Sequence, residues 1–203
     1  MKVIGLTGPS GSGKTLFCRL AEDFGIRSIN ADEIYHQLLI PPSPCLDEIV
    51  SVFGKDVLNT DGRLDRPKLG SIVFSDSERL SCLNAITHKY VIDKFRAIIK
   101  EMDCRGEKSV IVDAPTLFES GFNKECDVTL CLLADTYARK QRIIDRDKIT
   151  SERAEQRLAA QKDDSFYISR SDHVIRNNGS PENLKAAIAS FLQANKIITK
   201  EDK

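Results

Sequence analysis

The sequence predicts an α/β fold in which a mostly parallel β-sheet is covered by helices on both sides. Two short apolar runs, Ser109–Asp113 and Val128–Leu133, are typical of parallel strands that are buried on both faces. A third run, Val3–Leu6, passes through a glycine-rich turn into a helical pattern. Because the strands alternate with helices along the chain, we expect them to pair in parallel.

The N-terminal region is predicted to contain two strands, each followed by a helix. The first helix begins at Lys14 and ends at Gly25, a residue that is typical of helix ends. The second strand covers Arg27–Asp32 and ends in polar residues. The helix after it begins near Glu33 and is broken by the proline-rich stretch Pro41–Pro44.

A long helical segment then interrupts the alternation of strands and helices. Both Asp47–Phe53 and Leu80–Ile99 carry apolar residues at i, i+3 and i+4, and a turn is expected at Asn59–Gly62. We interpret this segment as a helical subdomain that is inserted into the α/β core.

The C-terminal part contains a second interruption before the α/β pattern returns. The charged tract Thr136–Lys162 is predicted to be helical, Asp172–Ile175 to be the last strand, and Pro181–Lys196 to be the last helix, with a favourable start at Ser180. We therefore expect one domain with three approximate parts: a core at 1–32, 105–135 and 168–203, a substrate-binding helical insert at 33–104, and a lid at 136–167.

The charge balance gives no overall reason to expect nucleic acid or a membrane as a partner. The chain has 203 residues, with 30 Lys and Arg against 30 Asp and Glu. Binding to either polyanionic surface depends on a basic excess. Since the N-terminus lacks the apolar region of a signal peptide, we expect a cytoplasmic protein. The sequence does not determine the oligomeric state, and we expect a monomer.

Six cysteines are scattered through the chain without a CxxC pair. Structural zinc sites and disulfide frameworks need clustered thiols. A cysteine within an apolar stretch, such as Cys131, behaves as a small hydrophobic residue. We therefore predict buried, reduced thiols.

The segment Gly8–Thr15 fits the phosphate-binding pattern G-x-x-x-x-G-K-[ST] without a mismatch. Its glycines let several N–H groups point at phosphate oxygens, and the start of the next helix favours an anion. Lys14 is expected to reach the β- and γ-phosphates, and the Thr15 hydroxyl to ligate Mg²⁺. The alternative, an ordinary glycine-rich turn, leaves Lys14 and Thr15 unexplained. We therefore predict a P-loop NTPase fold with ATP and Mg²⁺ as cofactors. The expected ATP-binding residues of the loop are Gly8, Ser10, Gly11, Ser12, Gly13, Lys14, Thr15 and Leu16.

Two segments argue against a GTPase. The guanine-binding pattern N-K-x-D is represented only by Asn123–Cys126, which ends in a cysteine instead of the aspartate. Asp113–Thr116 lacks the glycine of a D-x-x-G switch. The pattern favours a kinase over a guanine-nucleotide switch.

Two carboxylates follow predicted strands, at the edge where open parallel sheets bind ligands. Asp32 is a candidate to accept a proton from an attacking hydroxyl, and the alternative is that it caps the helix starting at Glu33. Asp113 resembles a carboxylate that holds the Mg²⁺ shell, and the alternative is that it caps a turn before Pro115.

Three arginines in the charged tract are spaced to share one helix face. They are Arg139, Arg142 and Arg146, at i, i+3 and i+7. Such a face is usually exposed to solvent, and its charged residues form i, i+4 ion pairs along the helix. In a P-loop kinase it can instead close over the transferring phosphoryl group, and for this role we select Arg142 and Arg146.

Several segments outside the loop combine into a more specific pattern. They are Asn30–Asp32, Gly62–Arg66, Ile72–Phe74, Leu83–His88, Asp113–Glu119, Arg142, Arg146–Asp147, Ile149–Thr150, Ala160–Gln161, and Asp172 with Asn177–Ser180. In this order and spacing, together with the loop, they resemble the dephospho-CoA kinase family over nearly the whole chain.

The resemblance implies ATP-dependent phosphorylation of the ribose 3′-hydroxyl of dephospho-CoA, the last step of coenzyme A biosynthesis. It implies that Asp32 lies beside that hydroxyl and that Arg142 and Arg146, from the lid, close over the transferring phosphoryl group. The expected catalytic residues are therefore Asp32, Lys14, Arg142 and Arg146. Adenine contacts are expected near Asn177. The implied substrate-binding residues are Asp32, His88, Pro115 and Phe118, although a lone helical histidine is more often structural.

The sequence departs from the family pattern at Pro9, Asn30, Lys89 and Thr116. Asn30 stands where the family has a first aspartate, which leaves open any role of that carboxylate. Two other readings also stay open: a P-loop kinase for another small molecule, and a non-catalytic nucleotide-binding module. A module would tolerate the loss of Asp32 and of the lid arginines.

Overall fold

The computed structural model describes residues 1–198, which form five strands and nine α-helices. The strands are β1 (Lys2–Thr7), β2 (Arg27–Asn30), β3 (Ser109–Asp113), β4 (Val128–Leu133) and β5 (His173–Arg176). The helices are α1 (Lys14–Glu22), α2 (Ala31–Leu38), α3 (Pro44–Phe53), α4 (Arg66–Val73), α5 (Ser77–Cys104), α6 (Thr136–Asp147), α7 (Ser151–Ala159), α8 (Asp164–Ile168) and α9 (Pro181–Ala194).

The strands form one parallel sheet with the order β2–β3–β1–β4–β5. In the centre, Leu6 of β1 pairs with Asp113 of β3 on one side and with Leu130 of β4 on the other. The carboxyl end of β1 therefore lies between two neighbouring strands, and the loop that leaves it starts from the middle of the sheet edge. The prediction of an α/β fold with a parallel sheet is confirmed.

The strands β3 and β4 are buried on both faces, and in β4 alternate side chains pack into two different clusters. Leu130 and Leu132 belong to a core cluster with Phe17 of α1 and Ile188 of α9. The alternate residues Cys131 and Leu133 pack instead with Tyr167 of α8. A strand with apolar side chains on both faces explains the continuous apolar run in the sequence.

The described chain divides into two compact units, which are treated separately. The first comprises Met1–Ile29 together with the chain from Asp103 onward, and the second is Asn30–Met102. The second unit is helical and has its own apolar core, which includes Cys45 and Ile49 of α3 and Leu83 and Ile86 of α5. The role of the helical segment in substrate binding and the boundaries of insert and lid remain predictions.

Lys89, one of the departures from the family pattern, lies inside the unbroken helix α5. Its ammonium group donates to the Glu48 carboxylate at 3.0 Å, and the Tyr90 hydroxyl donates to the same oxygen at 2.7 Å. A proline at this position would remove a helical N–H and bend the helix. Lys89 instead adds a link between α5 and α3.

The charged tract was predicted to be helical, and the structure divides it between two helices, α6 and α7. Helix α6 ends where Lys148 takes a left-handed conformation with φ +52°. Helix α7 then begins at a new cap, since the Thr150 side chain accepts the N–H of Arg153. A threonine that caps a helix start cannot be recognised by apolar periodicity alone.

Asp172, predicted to begin the last strand, lies just before β5. Its carboxylate accepts the backbone N–H of Thr129 at 2.8 Å and the Thr129 hydroxyl at 2.7 Å. These hydrogen bonds lower the pKa of the Asp172 carboxyl. Asp172 therefore links β5 to the start of β4.

None of the helices within residues 1–198 is long and apolar enough to cross a membrane.

All six cysteines are free, but the expectation that all are buried is only partly confirmed. Cys18, Cys45 and Cys131 are buried, Cys126 is half-buried, and Cys82 and Cys104 are exposed. Burial raises the pKa of Cys18 and of Cys131 to about 12 and that of Cys45 to about 11. Both exposed cysteines belong to the long helix α5, and Cys104 is its last residue.

We predict that a thiol reagent at pH 8 labels Cys82 and Cys104 quickly in the native protein and labels Cys18, Cys45 and Cys131 only after denaturation. The reason is that the thiolate is the reactive form and burial both hides these thiols and raises their pKa. Ellman's reagent with and without guanidinium measures the two groups. A double variant with Cys82→Ser and Cys104→Ser is the control, and a remaining fast phase in it would contradict the prediction.

Candidate active site

The phosphate-binding loop is packed so tightly that three of its positions, Gly8, Gly11 and Gly13, accept only glycine. Gly8 has φ +138°, and a Cβ there would lie 2.2 Å from the carbonyl oxygen of Leu132. Gly13 has φ +101°, and a Cβ there would lie 2.3 Å from the side-chain nitrogen of Asn177. Both the left-handed backbone and the close neighbours exclude a side chain. The loop is therefore fixed against β4 and the segment after β5.

The loop delivers the chain into α1 at an end that suits an anion. Gly13 is the N-cap, so no side chain caps the helix, and the first turn carries no acidic residue. A helix start without such groups presents its N–H groups and partial positive charge to a ligand. Thr15 is exposed in this first turn, and Leu16 is half-buried against the core.

Lys14 and Ser12 place polar groups at the loop. The Lys14 ammonium donates to the carbonyl oxygen of Gly8 at 2.7 Å, so its charge lies over the loop. Ser12 is fully buried, and its hydroxyl oxygen has no hydrogen-bond partner. A buried hydroxyl without a partner is costly unless a ligand satisfies it. Together with the glycine cradle, this hydroxyl fits a bound phosphate group.

The predicted arginine face exists, and all three of its members contact the loop. Arg142 donates to the carbonyl oxygens of Gly11 at 3.1 Å, Ser12 at 3.3 Å and Asn177 at 2.9 Å. Arg146 donates to the Ser10 hydroxyl at 3.2 Å and also binds its neighbour Asp147.

The two selected arginines therefore differ in their surroundings. The Arg142 guanidinium is occupied by backbone carbonyls of the loop, whereas Arg146 is exposed. Arg142 thus holds the loop in place, and Arg146 has the greater access to a ligand.

Arg139 was placed on the arginine face but was not selected, and the structure gives it close contact with the loop. Its side chain donates to the carbonyl oxygen of Ser10 at 3.1 Å and to Gln161 at 3.0 Å, and it is buried. Burial lowers the pKa of its guanidinium. The shared spacing with Arg142 was the one sequence signal for this role.

Asn177, expected near the adenine, lies behind the loop. Its side-chain nitrogen donates to the carbonyl oxygen of Ser12 at 2.9 Å, and the residue is almost fully buried. Its neighbour Asn178 exchanges hydrogen bonds with Asp135, the residue before α6. The Asn177 side chain therefore holds the loop from the side of β5.

Asp113 ends β3 and is buried, with 6% of its surface exposed. Its position in register with Leu6 puts it beside the carboxyl end of β1. Its charge reaches α1, where it adds to the effect of burial in raising the pKa of Cys18. In residues 1–198 no group of three or more His, Cys, Asp or Glu is arranged to hold a metal ion.

Pro115 and Phe118 follow β3 in the first unit. The carbonyl oxygen of Pro115 accepts the hydroxyl of Thr7 at 3.2 Å, which ties this turn to the end of β1. The ring of Phe118 packs edge-on against Phe166 with 6.3 Å between centroids.

Asp32 lies in the second unit, and it does not cap α2. The cap is Asn30, whose side-chain oxygen accepts the N–H of Asp32 at 2.8 Å and of Glu33 at 3.1 Å. The helix begins two residues earlier than the sequence pattern indicated, so the capping alternative for Asp32 is wrong. Asp32 is exposed in the first turn, and its carboxylate is not needed to start the helix.

The second unit also contains His88 and a cavity of about 270 Å³. His88 is half-buried on α5. The cavity is lined by both basic and apolar residues, which are His36, Leu39, Ile40, Pro41, Arg63, Leu64 and Arg66.

The profile of the dephospho-CoA kinase family (CoaE) matches residues 2–183. This chain belongs to the dephospho-CoA kinase family. A dephospho-CoA kinase from Symbiobacterium thermophilum is 36% identical over 194 residues, which is 96% of this chain and 81% of that protein. One from Geobacillus kaustophilus is 36% identical over 190 residues, 94% of each chain.

Solved structures agree with membership of the dephospho-CoA kinase family. The dephospho-CoA kinase from Campylobacter jejuni has a TM-score of 0.68 at 28% identity, covering 96% of this chain and 98% of that one. The Thermus thermophilus protein TT1252 has a TM-score of 0.80 at 29% identity, covering 98% of each. A shikimate kinase from Acinetobacter baumannii, with a TM-score of 0.55 at 16% identity over 98% of this chain and 96% of that one, shares the fold alone. The predicted family and P-loop kinase fold are confirmed.

We predict that Gly13→Ala weakens Mg-ATP binding by at least about tenfold, because the new Cβ would push into Asn177 and distort the loop. Calorimetric titration with Mg-ATP measures the loss. The matched control is Gly106→Ala, since Gly106 has φ +79° but nothing within 4 Å of an added Cβ. Gly106→Ala is expected to cost about 1 kcal/mol of stability and to leave ATP binding unchanged. Equal effects of the two substitutions on binding would refute the steric argument.

Proposed function

We propose that this protein transfers the γ-phosphoryl group of ATP to the ribose 3′-hydroxyl of dephospho-CoA, giving coenzyme A and ADP. The observation that carries the proposal is the family match, which begins in β1, includes the phosphate-binding loop and continues to residue 183. ATP is the phosphoryl donor of this family. The loop, with its glycine cradle and the buried Ser12 hydroxyl, supports a triphosphate as the ligand of the first unit.

We propose that the donor phosphates are held by loop N–H groups, by the start of α1 and by the Lys14 ammonium. A cation and a helix start both lower the energy of negative charge, which grows on the leaving ADP during transfer. Lys14 now donates to the Gly8 carbonyl oxygen at 2.7 Å, and a phosphate oxygen is a stronger acceptor that would compete for it.

Mg²⁺ is proposed to bind with ATP at Thr15 and Asp113. Hydroxyl and carboxylate oxygens are the donors that this cation prefers, and it commonly takes one or two carboxylates, phosphate oxygens and water. This ligand preference agrees with the lack of a three-residue cluster within the described part of the chain. When bound, the cation would neutralise charge on the β- and γ-phosphates.

Asp32 is proposed as the base of the transfer. The 3′-hydroxyl gives its proton to the Asp32 carboxylate, its oxygen forms a bond to the γ-phosphorus, and the bond from that phosphorus to the bridging oxygen breaks to leave ADP. Asn30 supplies the helix cap, so the Asp32 carboxylate is available for this task. Arg146 is proposed to neutralise charge on the transferring group, and Arg142 to act through the loop carbonyls it binds.

The helical unit Asn30–Met102 is proposed to hold dephospho-CoA, with His88 among its contacts and with Pro115 and Phe118 contributing from the turn after β3. We also propose that the protein is a cytoplasmic monomer. Size-exclusion chromatography with light scattering checks the oligomeric state, and a dimer mass would contradict this part of the proposal.

We predict that Asp32→Asn lowers kcat by about 100- to 10,000-fold and leaves the Kd of Mg-ATP within about twofold, because it removes the base but not the donor site. Coupled ADP release and calorimetry measure the two quantities. Asp47→Asn is the matched control, since Asp47 is also exposed in the first turn of a helix of the same unit. Near-normal turnover of Asp32→Asn would contradict its role as base.

The acceptor is tested by ADP release from Mg-ATP with dephospho-CoA, AMP, adenosine or pantothenate. We expect turnover with dephospho-CoA alone among these. Activity on AMP without activity on dephospho-CoA would overturn the proposed acceptor and retain a small-molecule kinase. ATP binding without turnover of any acceptor would favour a non-catalytic nucleotide-binding module.

A further inference from the structure

The outer part of the phosphate-binding loop, Pro9–Ser12, is a type II turn. The N–H of Ser12 donates to the carbonyl oxygen of Pro9 at 3.3 Å, and Gly11 has φ +79°. Within residues 1–198 the non-glycine residues with positive φ are Lys148 and Lys196, so Ser10 has a negative φ. A turn with positive φ only at its third residue is of type II. Type I, the commonest alternative, differs by a rotation of the central peptide by roughly 180°.

Two side chains from outside the loop bind Ser10, whose carbonyl belongs to the central peptide of this turn, Ser10–Gly11, and whose N–H belongs to the preceding peptide. The carbonyl oxygen of Ser10 accepts the Nε–H of Arg139 at 3.1 Å. The N–H of Ser10 donates to the Oε1 atom of Gln161 at 2.8 Å. The same Oε1 atom accepts from Nη2 of Arg139 at 3.0 Å, which closes a ring of three hydrogen bonds.

The two side chains are themselves fixed. Arg139 is buried, with 6% of its surface exposed, and its Nη1 atom lies 3.6 Å from Asp164. The Nε2 group of Gln161 donates to the carbonyl oxygen of Arg157 at the end of α7. A buried guanidinium without acceptors would be costly, so Arg139 strongly favours the turn in which the Ser10 carbonyl faces it.

The loop also packs directly on the backbone of α6. A Cβ on Gly11 would lie 2.6 Å from the carbonyl oxygen of Arg139. This contact leaves no room for a side chain at Gly11, and it brings the Ser10 carbonyl within reach of the Arg139 side chain. Packing and hydrogen bonding therefore favour the same turn.

We propose that Arg139 and Gln161 are positioning residues that keep the Ser10–Gly11 peptide in the orientation required for triphosphate binding. Arg139 binds the carbonyl of this peptide directly, whereas Gln161 acts by fixing the Arg139 guanidinium and the N–H of the preceding peptide. In a trans peptide the N–H points opposite to the carbonyl, so a Ser10 carbonyl that faces Arg139 directs the Gly11 N–H away from Arg139. That N–H is thereby directed to the phosphates. Rotation of the peptide to type I would present a carbonyl oxygen to the phosphates, and two negative groups would repel. This inference rests on the proposed function only in that the loop binds ATP.

The test compares Gln161→Leu with wild type by calorimetric titration with Mg-ATP in the absence of acceptor. Gln161→Leu removes the acceptor of the Ser10 N–H, and we expect the Kd to rise about tenfold. Arg139→Met is expected to raise it by about tenfold to 100-fold, and Arg139→Lys by less, since lysine keeps the charge but not the fork of donors. The matched control is Gln156→Leu at an exposed position of α7, which is expected to leave the Kd unchanged.

Steady-state kinetics and thermal unfolding separate positioning from general loosening of the fold. We expect the KM for ATP to rise as the Kd does, while the KM for dephospho-CoA stays within about twofold and the ligand-free melting temperature of Gln161→Leu is unchanged. Wild-type affinity in Gln161→Leu would overturn the inference, and so would equal rises in both KM values. If Arg139→Met does not fold, the Kd of Mg-ATP for Gln161→Leu is sufficient to test the inference.

The outcomes for this inference and for the proposed function are distinct. A rise in the Kd of Mg-ATP in Gln161→Leu supports the inference even if wild type does not phosphorylate dephospho-CoA, a result that would overturn the acceptor alone. A wild-type protein that does not bind Mg-ATP would overturn both.

Discussion

Three consecutive carbonyl groups of the phosphate-binding loop accept hydrogen bonds from side chains outside it. The Ser10 carbonyl binds Arg139, the Gly11 carbonyl binds Arg142, and the Ser12 carbonyl binds Arg142 and Asn177. Because a peptide N–H points away from its carbonyl, these contacts turn the negative ends of the loop dipoles outward. The loop can then offer N–H groups to an anion. The rest of the core serves to bring these donors to the loop.

The sheet makes this arrangement by placing β1 between β3 and β4 and by ending β5 next to β4. Helix α6 leaves β4 and brings its arginine face to the loop, and Asn177 arrives directly after β5. Glycines at the contact points remove the side chains that would keep these segments apart. The conformation of the loop therefore depends on residues that are distant from it in sequence.

Local features of the site were predictable because they depend on neighbouring residues. The loop pattern, the strands Ser109–Asp113 and Val128–Leu133, and the shared face of the arginines all follow from spacing along the chain. The break between α6 and α7 was missed because a single left-handed lysine and a threonine cap leave no periodic signal. A capping role for Asp32 was left open as an alternative, and the structure gives the cap of α2 to Asn30; spacing could not separate them, since both residue types cap helices equally well.

The type of fold and, through the order of the motifs, the family could be predicted from the sequence, because strand patterns and the loop are encoded by residues close together. Tertiary structure decided which side chains act on the loop. Gln161 lies 151 positions from Ser10, and no local rule predicts that its amide accepts that N–H. It also decided that Arg139 is buried whereas Arg146 is exposed, although both lie on one helix face. The reason is that burial depends on what packs over a face, and spacing along one helix carries no information on its neighbours.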